Sequence, residues 1–147
     1  MSASTNQSVS GGCLCGAVRF KAVVEAAEMG VCHCLMCRRW SGGAFMAVPC
    51  VDMTIEDKTE LGVYPSSEWG QREFCKRCGS SLFWRLRQDN GHVAVALPAL
   101  DAVEGLAFGE EIYIDEKPAL YAFAGDRPRL TGAEFLARIA AQQEAGA

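Results

Sequence analysis

Seven of the eight cysteines in this 147-residue chain fall into three tight clusters. They are Cys13-x-Cys15 in GGCLCG, Cys32-x-Cys34-x2-Cys37 in CHCLMCRRWSGG, and Cys75-x2-Cys78 in FCKRCGSSL. Thiols spaced so closely either cross-link, run redox chemistry or bind metal, and a reducing compartment favours the last. Two residues between Cys75 and Cys78 let the chain turn both sulfurs toward one metal. Gly79 supplies the positive φ such a turn needs. Cys13 and Cys15 stand at i and i+2 of an extended segment, so their sulfurs point the same way. Together Cys13, Cys15, Cys75 and Cys78 make a closed four-thiolate set, the donor pattern of a structural zinc. A redox pair is disfavoured because no βαβ pattern surrounds Cys75-x2-Cys78.

The middle cluster stands alone with three thiols. Catalytic zinc commonly has three protein ligands and an exchangeable fourth position. The expectation is that water or a substrate atom takes that place at Cys32, Cys34 and Cys37. An extended chain turns His33 to the opposite face from its neighbours, and His92 reads as a surface or strand histidine. Cys50, in AVPCV, either closes the middle set or is an ordinary buried thiol; the apolar setting favours the thiol. Arg38 and Arg39 adjoin the cluster and could hold a substrate carboxylate by paired hydrogen bonds, against the plainer reading of two solvated arginines. Tyr64, Ser66 and Ser67 orient a polar ligand or simply form a turn. Trp40 walls a pocket or, more simply, packs in the core.

These side chains need elements to carry them. Ala17 to Val24 alternates apolar and charged residues, as a half-buried strand does. Leu35 to Trp40 suits a short helical turn stopped by Gly42 and Gly43. Ala44 to Val51 reads as a strand, with Pro49 marking an edge or a bulge. Glu73–Cys75 and Leu82–Leu86 flank a turn at Lys76–Ser80, as in a hairpin. His92 to Leu97 and Glu111 to Ile114 add two strands. Thr131 and Glu134 form a capping box ahead of a Phe135, Leu136, Ile139, Ala140 stripe that would pack a final helix on the sheet. The expected architecture is a mainly β domain over residues 11–147, with a short C-terminal helix and a flexible tail at 1–10.

Composition narrows the function. The net charge of −4 and the lack of a basic run argue against nucleic acid as a partner. No secretory leader pattern opens the chain and no run of about 18 apolar residues occurs, so neither export nor a membrane is expected. The expected compartment is the cytoplasm.

Taken together, GGCLCGAVRF, CHCLMCRRWSGG and REFCKRCGSSLFW resemble the glutathione-dependent formaldehyde-activating enzyme family, which includes centromere protein V. YPSS at Tyr64–Ser67 ahead of Arg72, and Leu100–Asp101, add to the likeness, which runs from about Gly11 to about Arg129. The resemblance implies a β-tent zinc-binding fold with two zinc ions per chain. One is structural, on the first and third clusters; the other is catalytic, on Cys32, Cys34 and Cys37. It also implies a carbon–sulfur lyase that reversibly condenses formaldehyde with glutathione to S-hydroxymethylglutathione. The family often carries His before the Ile of its late strand, where this chain has Glu111 before Ile112. Three functions therefore compete: a zinc-dependent lyase on thiol–aldehyde adducts, a zinc-stabilised protein-binding module without catalysis, and a thiol-redox or metal-buffering protein. Cys50 separates the first two, since as a ligand it would close the site.

Overall fold

The computed structural model describes residues 7–88 and 92–145. The chain divides into two compact units, residues 1–29 with 47–107, and residues 30–46 with 108–147. It is mainly β, and the described residues form ten strands: β1 Ser8–Gly12, β2 Arg19–Val24, β3 Glu28–Cys32, β4 Phe45–Ile55, β5 Leu61–Pro65, β6 Gly70–Cys75, β7 Ser81–Leu86, β8 Val93–Ala96, β9 Ala107–Ile112 and β10 Arg129–Leu130. The described residues also form two α-helices, α1 Leu35–Ser41 and the C-terminal α2 Gly132–Ala145. Among the described residues no helix is long and apolar enough to cross a membrane.

In the first unit the strands run in the order β1-β2-β4-β8-β7-β6-β5, with antiparallel pairing throughout. Alternation does what the sequence pattern implies. Phe20, Ala22 and Val24 of β2 are buried, while Arg19 and Lys21 face away. Phe20 meets Phe83 of β7 edge-on at 4.8 Å, and Val48, Val93 and Val95 are sealed from solvent. The hairpin expected across Lys76–Ser80 is formed by β6 and β7.

Several boundaries move, each for a physical reason. The tail expected over residues 1–10 ends earlier, because Ser8–Ser10 begin β1 and pair with β2. Val9 is the one buried side chain of that stretch, so backbone hydrogen bonding, invisible to periodicity, recruits it. Residues 1–6 of the expected tail lie outside the described residues. Pro49 marks neither an edge nor the bulge. β4 lies between β2 and β8, and the Pro49 carbonyl accepts from Glu25 N–H at 2.9 Å. The bulge comes three residues later. There Val51 and Thr54 of β4 oppose Val23 and Lys21 of β2, and Asp52 takes φ 54; aspartate tolerates this left-handed region better than most side chains. β8 stops at Ala96 because Pro98 opens a 3-10 turn over Leu97–Ala99. The YPSS serines form a turn: Ser67 Oγ accepts from Gly70 N–H at 2.9 Å, and Ser66 Oγ from Arg72 Nε at 3.2 Å. Tyr64 is exposed.

In the second unit the order is β10-β9-β3, with β10 parallel to β9 so that Arg129 lies beside Glu111. β9 ends at Ile112, two residues short of the strand expected to reach Ile114. Tyr113 turns left-handed at φ 55 and a 3-10 turn covers Ile114–Glu116. Trp40 of α1 packs edge-on against Phe45 at 5.3 Å. The capping box of α2 is reciprocal: Thr131 N–H donates to Glu134 Oε1 at 2.7 Å, and Glu134 N–H to Thr131 Oγ1 at 3.1 Å. The apolar stripe is less covered than its pattern implies. Phe135 meets the Tyr113 ring and Arg138 pairs with Glu110, whereas Leu136 is 48% exposed.

Candidate functional site

The first unit gathers Cys13, Cys15, Cys75 and Cys78 so that their sulfurs all lie within 4.8 Å of one another. Local geometry aims each pair. Gly16 and Gly79 adopt φ 84 and φ 78 directly after Cys15 and Cys78, folding the chain back tightly beside the sulfurs. Backbone donors converge on them: Val18 N–H reaches Cys13 Sγ at 3.3 Å, and the N–H groups of Arg77 and Cys78 reach Cys75 Sγ at 3.3 and 3.4 Å. Leu14 N–H donates to Ser80 Oγ at 3.0 Å, joining the two turns. The Ser80 hydroxyl, aided by its backbone, pushes the Cys78 thiol down to about 5.

This donor set fits zinc by a simple measure. Zinc–sulfur bonds of about 2.3 Å put tetrahedral sulfurs about 3.8 Å apart. The Cys13–Cys15 and Cys15–Cys75 sulfurs are 3.7 and 3.8 Å apart. A disulfide would bring them to about 2.05 Å.

The second unit holds the three-thiol group, Cys32, Cys34 and Cys37, again with all sulfurs within 4.8 Å. β3 delivers Cys32, and Cys34 is the N-cap of α1, accepting from Cys37 N–H at 3.4 Å. Glu116 holds the start of this short helix by accepting Leu35 N–H at 2.9 Å. Gly42, left-handed at φ 85, ends it. Hydrogen bonding with Cys34 and Cys37, then burial, pushes the Cys32 thiol far above its ordinary range. Three thiolates so close repel one another, and a bound cation is what lets all three ionise. The donor types suit zinc at this set too.

His33 stands outside this donor group, its ring engaged by Glu111 and Tyr121. It is fully buried, Nε2 at 2.8 Å from Glu111 Oε1 and Nδ1 at 2.9 Å from the Tyr121 hydroxyl. His92 is a partly exposed neighbour of Glu25, 3.2 Å away. Cys50 belongs to neither thiol group. It is sealed within β4, and burial, then Glu25, pushes its thiol up to about 12. Cys50→Ala is accordingly expected to keep both metal equivalents, by atomic emission, and to cost only about 1–2 kcal/mol in a denaturant melt.

The two arginines separate. Arg38 is committed to the frame, its Nε donating to the His33 carbonyl at 2.8 Å and Nη2 to the Glu116 carbonyl at 3.1 Å. Arg39 is exposed on α1.

Two features escaped the sequence reading. Glu111 is 1% exposed and accepts from His33, from Arg127 Nη1 at 2.6 Å and from Arg129 Nε at 3.0 Å. Burial opposes its charge, yet these hydrogen bonds outweigh it and hold the carboxyl below the usual range. Tyr113 has its phenol raised by burial and then by the charges of Cys32 and Cys34, so it lies within their electrostatic reach. The left-handed turn at Tyr113 works because residue 132 is glycine: a Cβ there would lie 2.4 Å from the Tyr113 ring. The only sequence signal for either was the acidic residue at Glu111, where the resembled family often has histidine.

Residues 8–116 match the family described as glutathione-dependent formaldehyde-activating enzyme. The chain is 32% identical over 130 residues to an uncharacterized lyase of Schizosaccharomyces pombe, covering 88% of this chain and 95% of that protein. It is 30% identical over 83 residues to a Halomonas elongata protein with a provisional glutathione-dependent formaldehyde-activating name, covering 50% of this chain and 53% of that one. A crystal structure of a Rhodobacter sphaeroides protein shares the fold with a TM-score of 0.55 at 23% identity, covering 63% of this chain and 88% of that chain.

Proposed function

Because the chain belongs to the glutathione-dependent formaldehyde-activating enzyme family, we propose that it is a zinc-dependent carbon–sulfur lyase acting on thiol–aldehyde adducts. Glutathione and formaldehyde are the pair to test first. The observation that carries the reading is the three-thiol set at Cys32, Cys34 and Cys37, which has no fourth protein donor in its group among the described residues. Three protein ligands with one exchangeable place are the pattern of catalytic zinc, and the closed set at Cys13, Cys15, Cys75 and Cys78 is the pattern of structural zinc. When bound at the three-thiol set, zinc supplies Lewis acidity toward a carbonyl oxygen and favours the thiolate of an incoming thiol.

The chain's own residues hold the frame around that chemistry. Cys34 fixes the start of α1, Arg38 ties α1 to the His33 carbonyl, and the His33 ring is engaged by Glu111. In the condensing direction the thiol sulfur bonds to the carbonyl carbon, the π pair moves to oxygen, and the thiol proton ends on that oxygen. The reverse breaks the C–S bond. The family match, residues 8–116, takes in parts of both compact units, and we read residues 11–147 as one functional domain. The compartment we assign is the cytoplasm, where thiols stay reduced.

The deciding measurement is exchange of formaldehyde with glutathione, and with a panel of other thiols and aldehydes, by NMR against a buffer control. The zinc-loaded protein should exceed the uncatalysed rate with at least one pair. A protein that never does so is a zinc-built binding module instead. Exposed Arg39 is the residue we assign to a substrate carboxylate. Arg39→Ala should raise KM for glutathione by about 3–10-fold, in line with one exposed charge-assisted hydrogen bond. KM for a thiol lacking carboxylates should stay put. Equal effects on both thiols would remove Arg39 from the site.

A further inference from the structure

We propose that Glu111 is a positioning residue for the Cys32, Cys34 and Cys37 centre, acting through His33; the proposal rests on the metal reading of those thiols. His33 is the residue between two of the donors, so any turn of its backbone carries both flanking sulfurs with it. Every polar atom of His33 is engaged. Its N–H donates to the Ile112 carbonyl at 3.1 Å, and its carbonyl accepts from Arg38 Nε at 2.8 Å. Ring Nε2–H donates to Glu111 Oε1 at 2.8 Å, and Nδ1 shares a hydrogen bond with the Tyr121 hydroxyl at 2.9 Å. Two of these four contacts come from consecutive residues of β9, the Glu111 side chain and the Ile112 carbonyl. That strand therefore grips His33 at ring and backbone together.

Glu111 is itself held through its other carboxylate oxygen. Arg127 Nη1 lies 2.6 Å from Oε2 and Arg129 Nε 3.0 Å from the same oxygen. β10 brings Arg129 alongside by parallel pairing with β9. The guanidinium of Arg127 is in turn stacked over the Phe108 ring at 3.8 Å. The chain of restraint runs from two arginines, through one buried carboxylate, to the imidazole that lies between two metal donors. Groups hydrogen-bonded directly to metal ligands typically change metal affinity or activity by about 10–100-fold when lost; Glu111 acts one residue further out, through His33, which places its effect at the lower end of that range. The closed set in the first unit has no member in this network, so it serves as an internal control.

The test uses the full chain loaded with two zinc equivalents. Release to a chromogenic chelator is followed in wild type, Glu111→Gln, Glu111→Ala and Tyr121→Phe, and Cys34→Ala identifies which phase belongs to the three-thiol set. The expected result is at least about tenfold faster release of that equivalent in Glu111→Ala. Glu111→Gln, which keeps an acceptor for Nε2–H, should fall between Glu111→Ala and wild type. Release from the closed set should be unchanged. Cobalt-substituted samples should show altered thiolate-to-metal absorption for the same equivalent alone. If Glu111→Ala does not fold, Glu111→Gln and Tyr121→Phe carry the test, each with selectively faster release. Wild-type release in both, or equal acceleration of both equivalents, overturns the proposal, the latter because general loosening is not selective. A wild type that holds only one equivalent overturns the metal reading and this proposal with it.

Discussion

Cys78→Ser is expected to remove one of two bound zinc equivalents and to lower the melting temperature by more than about 10 °C. Cys13 and Cys15 lie about sixty residues before Cys75 and Cys78 in the chain, and the four sulfurs meet within 4.8 Å. A metal held there closes a long loop, so its binding free energy becomes folding free energy. Cys78 is the donor whose thiolate is favoured most clearly, by the Ser80 hydroxyl at 3.2 Å. Serine keeps the size and loses the soft donor. For a chain of this length each kcal/mol moves the melting temperature by roughly 2–4 °C. A loss of about 5 kcal/mol, well below the full binding energy of a structural zinc, already gives about 10–20 °C. Metal content by atomic emission and a thermal melt, with and without chelator, check it. Unchanged metal and melting would show that the four thiols are only neighbours.

Cys34→Ala is expected to bring thiol–aldehyde exchange down to the buffer rate while leaving the closed set loaded. Removing one of three donors takes the metal, and with it the chemistry assigned to that site. The fold should survive, because the backbone group that Cys34 Sγ holds is the N-cap of a seven-residue helix, Cys37 N–H at 3.4 Å. Losing a cap costs about 1 kcal/mol, a few degrees in a melt. The other end of this loop stays tied by Glu116 to Leu35 N–H and by Arg38 to the His33 carbonyl. A variant with wild-type exchange, or one that also loses the metal of the closed set, would contradict the division between a working and a building site.

The two predictions differ in how visible their grounds are in the amino-acid order. Cysteine spacing is a local property. Cys75-x2-Cys78 with Gly79, and Cys13-x-Cys15 with Gly16, confine each pair of sulfurs to one side through a few backbone angles, so their grouping needs no knowledge of the rest of the fold. The same holds for the β2 alternation, for the capping box of Thr131 and Glu134, and for His33 standing outside the donor group of Cys32 and Cys34. A period of two, a three-residue reach and a one-residue flip are all written within a few positions.

What the order of residues left undecided depends on partners far away in the chain. β1 and β5 have weak patterns and become strands because a neighbour offers hydrogen bonds, which periodicity cannot register. Pro49 marked a disturbance in β4, yet the extra residue sits at Asp52, because register is set by the pairing of two strands and not by one. Arg38 and Arg39 read as equivalents. Only the assembled unit shows Arg38 spent on two carbonyls, one of them 78 residues away, while Arg39 remains exposed. Glu111 read only as the first residue of a short strand, at the place where the resembled family often has histidine. It is a buried carboxylate because His33, Arg127 and Arg129 converge on it from separate segments, and a charge can be buried only where such partners arrive together.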